Sequence, residues 1–240
     1  MLETRGVILR SIKYKESSLI LDIYTEHKGL QSFLINGVFK KGNQRLAGIL
    51  QLCNLVDLIA YFNEQKHLHR IKEINLNYIY SDLSYNLTKS AIATFILEIC
   101  KKCLKDQQTN VELFNFIHRC FILLDKQSPI DPNFHLKFLV RFIQFLGVQP
   151  TNNYSTINNS FDLRNGCFVA YDQILIHAVE PELSKLFSSL FNEKDFGSGF
   201  TITINYSDRK KLLDLLILYY QFHVDQFGQL KSLDVLRTLF

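Results

Sequence analysis

The chain has 240 residues, of which 47% are hydrophobic and 21% charged, so it can bury a core and is not a disordered tail. Its formal net charge of +4 comes from residues 1–75, which hold 11 Lys and Arg against 7 Asp and Glu. Such a local positive excess is typical of proteins that bind a polyanion, although a solvated surface would show the same charge.

Targeting signals and disulfides are not apparent in the sequence. No segment has the roughly 20 apolar residues of a membrane helix, and residues 1–5 lack the pattern of a signal peptide. The chain has five cysteines, an odd number that favours free thiols over a disulfide framework. We therefore expect a cytoplasmic protein with no membrane partner.

The first 75 residues contain five short apolar runs. In the second run, Leu19, Leu21 and Ile23 recur at every other position, which is the period of a half-buried strand. Strands are predicted at residues 7–12, 19–25, 30–35, 52–62 and 66–74. With one long loop at residues 37–48, this pattern predicts a five-stranded barrel of the OB type. A small sandwich and an SH3-like barrel are the alternatives.

The rest of the chain has the periodicity of helices. Apolar residues recur at i, i+3, i+4 and i+7 from about residue 88. Helices are predicted at about residues 88–103, 113–124, 138–146, 181–191, 207–226 and 230–239. Ser207 is the predicted N-cap of the long fifth helix, and Asn165-Gly166 predicts a small hairpin within residues 161–170. The fold class is α+β: an OB-type barrel at 1–80, then an α-helical domain at 81–240.

Basic and aromatic residues cluster around the first strand and the long loop. Cations spaced along a groove suit a phosphate backbone, and an exposed aromatic ring can stack on a base. Tyr14 lies between two lysines, and Phe39 precedes two more, although either ring could instead close an end of the barrel. The candidate nucleic-acid contacts here are Arg5, Arg10, Lys13, Lys15, Phe39, Lys40, Lys41, Arg45 and Arg70.

Metal and catalytic motifs are weak. Cys100 and Cys103 form a lone CxxC, whereas a zinc site needs four ligands. His67 and His69 are expected to face solvent beside Lys66 and Arg70 and to assist phosphate binding. No phosphate loop, dinucleotide fingerprint or hydrolase motif occurs, and the carboxylates are scattered singly. We therefore expect no enzyme activity, no metal and no cofactor.

Several short motifs, taken in order, resemble the RecO family of bacterial recombination mediators. Each is short and degenerate, but their order and spacing together are fairly specific, and the resemblance extends over most of the chain. They are residues 6–10 (GVILR), 14–21 (YKESSLIL), 24–29 (YTEHKG), 36–41 (NGVFKK), 145–147 (FLG) and 228–232 (GQLKS).

The sequence departs from the family pattern at a zinc element. Many members carry a four-cysteine zinc element after the third helix, whereas residues 150–170 here hold only Cys167, so we expect a zinc-less lobe at about 150–175.

The resemblance implies a function for the whole chain. Members of this family bind single- and double-stranded DNA through the barrel and anneal complementary strands. They act with RecR to help load recombinase at DNA coated by single-strand-binding protein, whose acidic, Phe-ending tail they recognise. The resemblance makes Lys137 the first candidate for the cation at the rim of the tail pocket and Arg141 the second. Lys231 is a candidate DNA contact, or a cap of the last helix.

The expected protein is thus a non-enzymatic mediator of DNA repair and recombination, located in the cytoplasm at the nucleoid. Two alternatives differ from it in class. One is an OB-type protein that binds RNA or acts in translation. The other, less favoured, is a metal-dependent nuclease, for which divalent-dependent cleavage of DNA would be the sign.

Overall fold

The computed structural model describes residues 1–40, 42–104, 108–172, 176–192 and 203–239. The chain forms two compact units, Met1–Lys126 and Gln127–Phe240. The first unit is larger than the predicted 1–80 domain, and that boundary stays a prediction. The elements of the first unit are β1 (Leu2–Tyr14), β2 (Ser18–Thr25), β3 (Gly29–Ile35), α1 (Gln44–Ile49), β4 (Leu55–Tyr61), β5 (Leu68–Leu76), α2 (Leu87–Cys103) and α3 (Val111–Lys126).

The five strands close a barrel in the order β1-β2-β3-β5-β4, with β1 paired to both β2 and β4. Neighbouring strands are antiparallel except β3 and β5, which are parallel. Leu21, Ile23 and Phe33 are fully buried in the barrel core, as the alternation in the sequence predicts. The OB-type barrel followed by helices is therefore confirmed, and the sandwich and SH3-like alternatives are wrong.

The predicted loop at residues 37–48 is wrong in its second half, which forms the short helix α1. Leu46 and Ile49, three positions apart, both pack against the barrel core. That spacing places them on one face of a helix. Tertiary packing thus stabilises a helix that is too short to show a clear period in the sequence.

A buried carboxylate holds the chain between the barrel and α2. Asp125 on α3 accepts hydrogen bonds from the backbone N–H groups of Ser81, Asp82 and Leu83 and from the Tyr78 hydroxyl, at 2.8–3.1 Å. Burial alone would raise the pKa of Asp125, but these donors outweigh it and hold that pKa well below its ordinary value. The carboxylate therefore acts as a structural clamp within the first unit.

The second unit is mostly helical. Its elements are α4 (Phe134–Phe145), β6 (Ser160–Asp162), β7 (Cys167–Val169), α5 (Pro181–Asn192), α6 (Tyr206–His223) and α7 (Leu233–Leu239). The predicted N-cap of α6 is wrong by two residues, because Asn205 rather than Ser207 caps the helix by accepting from the Asp208 N–H at 2.8 Å. The predicted hairpin is present as β6 and β7, with Gly166 at φ +66° in its turn.

Aromatic packing and side-chain hydrogen bonds hold the hairpin lobe together. Phe161 packs on Phe168 and Phe187, with ring centroids 4.9 and 4.6 Å apart. Asn153 both donates to the Phe168 carbonyl and accepts from its N–H, at 2.9 and 2.7 Å. The Asp162 carboxylate accepts from two backbone N–H groups of the turn. These contacts hold β6 and β7 together and pack them against α5.

Candidate nucleic-acid interface

The β1–β2 turn and the basic loop after β3 are joined at one end of the barrel. The Val38 N–H donates to the Ser17 carbonyl at 2.8 Å, and the Ser18 hydroxyl donates to Asn36 Oδ1 at 2.9 Å. Lys15 lies in the left-handed region at φ +56° and so helps to close the turn. Two segments that are separated in sequence by the strands β2 and β3 therefore share one surface.

This surface combines lysines with exposed aromatic rings. The Lys13 ammonium lies 5.7 Å from the ring centroid of Phe39, and the Lys15 ammonium lies 5.4 Å from that of Tyr14. Phe39 is 52% exposed and Tyr14 is 40% exposed, so neither ring closes the barrel. Lys40 is also exposed. We call these five residues the cationic end of the barrel.

The backbone of the basic loop is shaped by local hydrogen bonds. Gly37 has φ +75°, and its carbonyl accepts from the Asn43 side-chain amide at 2.8 Å and from the Lys40 N–H at 3.3 Å. This turn directs residues 38–40 toward the β1–β2 turn. The predicted contact Arg45 is exposed on α1, and the predicted contact Lys41 lies outside the described residues.

Arg10 and Arg70 lie on the outer face of the barrel. A bulge at Leu9 shifts the register of β1 and turns Arg10 outward. The Arg10 guanidinium donates to the Asp22 carboxylate, which also accepts from the Ser32 hydroxyl at 2.6 Å. Asp22 therefore offsets the charge of Arg10. Arg70 is exposed, and no ion pair involves it among the residues that the structure describes.

Arg5 lies at the other end of the barrel. Eight positions separate it from Lys13 along β1, a distance of about 26 Å in an extended strand. Its guanidinium forms two hydrogen bonds with Glu26, at 2.6 and 2.8 Å, and one with Asn115 on α3 at 2.9 Å. Through its hydrogen bond, Arg5 lowers the pKa of Glu26. The structure thus gives Arg5 a packing role and separates it from the cationic end.

The expectation that His67 and His69 both face solvent is wrong for His69. Its ring is buried, stacks on Phe62 at 4.3 Å and lies 3.2 Å from the Gln31 side-chain oxygen. Burial, together with nearby His67, lowers its pKa, so the neutral form is favoured. His69 thus supports the β4–β5 turn, and only His67 is exposed.

The three candidates in the second unit differ in exposure. The Lys137 side chain is 8% exposed and pairs with buried Asp131 at 2.9 Å. Arg141, one turn further along α4, is exposed and donates to Gln144 at 2.6 Å. Lys231 is exposed before α7. Arg141 is therefore the more accessible of the two cations predicted to bind a protein tail.

Two of the cysteines lie in the core of the first unit. Among the residues that the structure describes, no three His, Cys, Asp or Glu side chains are placed to hold a metal ion together. Cys100 and Cys120 are fully buried on α2 and α3, and burial raises the pKa of both thiols. They act as small apolar core residues.

Asp22 and Ser32 are the main features of this surface that the sequence did not single out. The alternation in β2 indicates that Asp22 faces away from the core, but its partner depends on the register between β1, β2 and β3. A bulge in one of these strands sets that register. The sequence therefore could not show that a carboxylate lies against one of the predicted cations.

Comparisons with known proteins cover nearly the whole chain. The family model described as "Recombination protein O N terminal" matches residues 1–80, and the model described as "Recombination protein O C terminal" matches residues 84–234. Among the described residues, no helix combines the length and the apolar character that a membrane crossing requires.

Several curated relatives match over their full length. A DNA repair protein RecO from Phocaeicola vulgatus is 31% identical over 99% of this chain and 98% of its own. One from Flavobacterium psychrophilum is 31% identical over 100% of this chain and 99% of its own. One from Bacteroides fragilis is 29% identical over 99% of this chain and 98% of its own.

Proposed function

The chain belongs to the RecO family of DNA repair proteins, and we propose that it is a DNA-binding recombination mediator. In this proposal it binds single- and double-stranded DNA through the barrel and anneals complementary strands. It acts with RecR to help load recombinase at DNA coated by single-strand-binding protein, in the cytoplasm at the nucleoid.

The cationic end of the barrel is the observation that carries this proposal. Three exposed lysines lie around two exposed rings, and two of the lysines face a ring at less than 6 Å. The lysines can neutralise neighbouring phosphates and release their counterions. The rings can stack on unpaired bases, which contributes about 1–3 kcal/mol per base. Both interactions suit a nucleic acid and are independent of its sequence.

Annealing needs only these two interactions. Two complementary strands repel each other through their phosphates, and cations between them lower that repulsion. Bases that are held unstacked can pair without first breaking local structure in the strand. This activity needs no catalytic residue, so we propose that the protein is not an enzyme and needs no cofactor.

The proposed contact with single-strand-binding protein lies on α4 in the second unit. A tail that ends in carboxylates and an aromatic ring needs an accessible cation beside an apolar surface. Arg141 is exposed, and the partly exposed Phe145 lies one turn further along the same helix. Lys137, paired with Asp131, would lie behind this contact. We further propose Arg45 in the first unit and Lys231 in the second unit as additional DNA contacts.

Annealing of two complementary oligonucleotides carrying donor and acceptor fluorophores tests the proposal. The test variant is Lys13→Ala/Lys15→Ala/Lys40→Ala. The matched control is Lys185→Ala/Lys210→Ala/Lys211→Ala, which removes the same charge from exposed positions in the second unit. We expect the wild type and the control to accelerate annealing equally and the test variant to lose most of the acceleration.

Two outcomes would contradict the proposal. A wild-type protein that does not change the annealing rate would exclude the mediator activity. A control variant as defective as the test variant would mean that net charge alone, and not the cationic end, governs annealing. Melting curves of both variants should match that of the wild type, because all six lysines are exposed.

A further inference from the structure

A row of outward-facing side chains crosses the barrel beside the cationic end. In the strand registers, Ile12 lies opposite Ile20, Ile20 opposite Leu34, Leu34 opposite Arg70, and Arg70 opposite Tyr61. Neighbouring positions in such a register are about 5 Å apart. The row is therefore continuous over all five strands, and we call its three aliphatic members, Ile12, Ile20 and Leu34, the apolar row.

The apolar row is on the outside of the barrel. The residues on either side of Ile20 and Leu34 along their strands, Leu19, Leu21 and Phe33 among them, are buried in the core. Ile12 is 42% exposed, Tyr61 is 54% exposed, and Ile20 and Leu34 are partly exposed. Contiguous apolar side chains that stay exposed on an outer sheet face are a feature of binding surfaces.

Charge and neighbouring groups identify the occupant of this surface. Arg70 lies next to Leu34 at one end of the apolar row, and Lys13 and Lys15 follow Ile12 at the other end, so a bound chain would be held by cations on both sides. The next row contains Asp22, whose charge is offset by Arg10. An apolar surface between cations is complementary to an anionic chain that exposes apolar faces, which describes unpaired nucleotides.

We propose that the apolar row binds the bases of a single DNA strand and so makes the barrel prefer single-stranded over double-stranded DNA. This inference rests on the proposed DNA-binding function and adds the surface that discriminates between the two substrates. In a duplex the base faces are stacked inside, so only phosphates reach the barrel. In a single strand the bases can turn toward Ile12, Ile20 and Leu34 and bury apolar area against them.

The proposal separates two contributions that a binding experiment can measure independently. Phosphate contacts determine the slope of the logarithm of affinity against the logarithm of salt concentration. Apolar contacts change affinity without changing that slope. Substitutions in the apolar row should therefore lower single-strand affinity at every salt concentration and leave duplex affinity as it is.

The test compares the binding of a labelled 20-nucleotide thymidine oligomer and a labelled 20-base-pair duplex at three salt concentrations. For Ile12→Ser/Leu34→Ser we expect about 10-fold weaker binding of the single strand, an unchanged slope and unchanged duplex binding. The control Ile157→Ser/Val235→Ser changes exposed aliphatic residues of the second unit and should bind as the wild type does. Ile12→Phe should bind the single strand more tightly, because a ring stacks on bases better than an aliphatic chain does.

The outcomes distinguish this inference from the function on which it rests. If the wild type binds neither DNA, the DNA-binding function fails. If the wild type binds both and the double variant weakens both equally or neither, the inference is overturned and the apolar row serves another partner. If the double variant has a lower melting temperature, the single variants Ile12→Ser and Ile12→Phe test the inference in its place, because Ile12 is at the exposed end of the apolar row.

Discussion

Neutralising Asp22 should make this protein bind DNA more tightly. Its carboxylate lies on the outer face of the barrel between Arg10 and Ser32 and offsets the charge of a predicted DNA contact. The substitution Asp22→Asn keeps the shape of the side chain and an oxygen that can accept from Arg10, but it removes the negative charge. Arg10 then becomes available to a phosphate.

The size of the gain follows from counterion release. One additional phosphate contact adds about 0.7 to the slope of the logarithm of single-strand affinity against the logarithm of salt concentration. At about 0.1 M salt, a slope change of 0.7 corresponds to roughly 5-fold tighter binding, and the gain should vanish toward 1 M. The cost to stability should be small, because the Arg10 side chain is 54% exposed and exposed ion pairs contribute about 0–1 kcal/mol.

Fluorescence anisotropy of a labelled single strand over a salt series measures both the affinity and its dependence on salt concentration. The control is Asp57→Asn, which changes the net charge equally but lies four positions before Tyr61 on β4 and is hydrogen-bonded to Asn77. Equal gains in the two variants would show that only net charge matters. No gain in Asp22→Asn would show that Arg10 does not face the bound strand.

Four further predictions concern stability and the second unit. Asp125→Asn should lower the free energy of unfolding, measured in urea, by about 2–4 kcal/mol. Because the pKa of Asp125 is depressed in the folded protein, the wild type should lose this stabilisation as the pH falls below about 4. The variant has no carboxylate at this position and should not show that loss. Arg141→Ala should weaken binding of an acidic, Phe-ending peptide about 5-fold in calorimetry, with an unchanged melting temperature. Lys137→Ala should lower the free energy of unfolding by about 3–5 kcal/mol, because it removes the ion-pair partner of the buried Asp131 carboxylate. Gly166→Ala should lower the melting temperature, since the backbone there has φ +66° and the added Cβ would lie 2.8 Å from the Tyr219 hydroxyl. An unchanged melting temperature in Asp125→Asn, Lys137→Ala or Gly166→Ala would contradict the reasoning for that residue.

Local patterns in the sequence predicted the elements well. The period-two alternation of Leu19, Leu21 and Ile23 identified both β2 and the face that it buries. The short helix α1 was missed because two apolar residues cannot establish a helical period. The N-cap of α6 was misplaced because Asn205 and Ser207 are both good capping residues, and only the backbone conformation distinguishes them.

The candidate interface depended more on contacts between distant segments. The sequence identified the lysines and Phe39, but the hydrogen bond from Val38 to Ser17 is what brings the two segments together. Likewise, no local pattern shows that Arg5 is held by Glu26 and Asn115, or that His69 turns inward. Register and bulges set these contacts, and both depend on the assembled barrel.

The account depends most on the claim that the cationic end of the barrel contacts DNA phosphates. The most direct test is the salt dependence of single-strand binding by the wild type and by Lys13→Ala/Lys15→Ala/Lys40→Ala, measured by anisotropy. Loss of three phosphate contacts should reduce the slope by about 2. A triple variant that binds with the wild-type slope would contradict the account and would place the DNA contacts elsewhere on the protein.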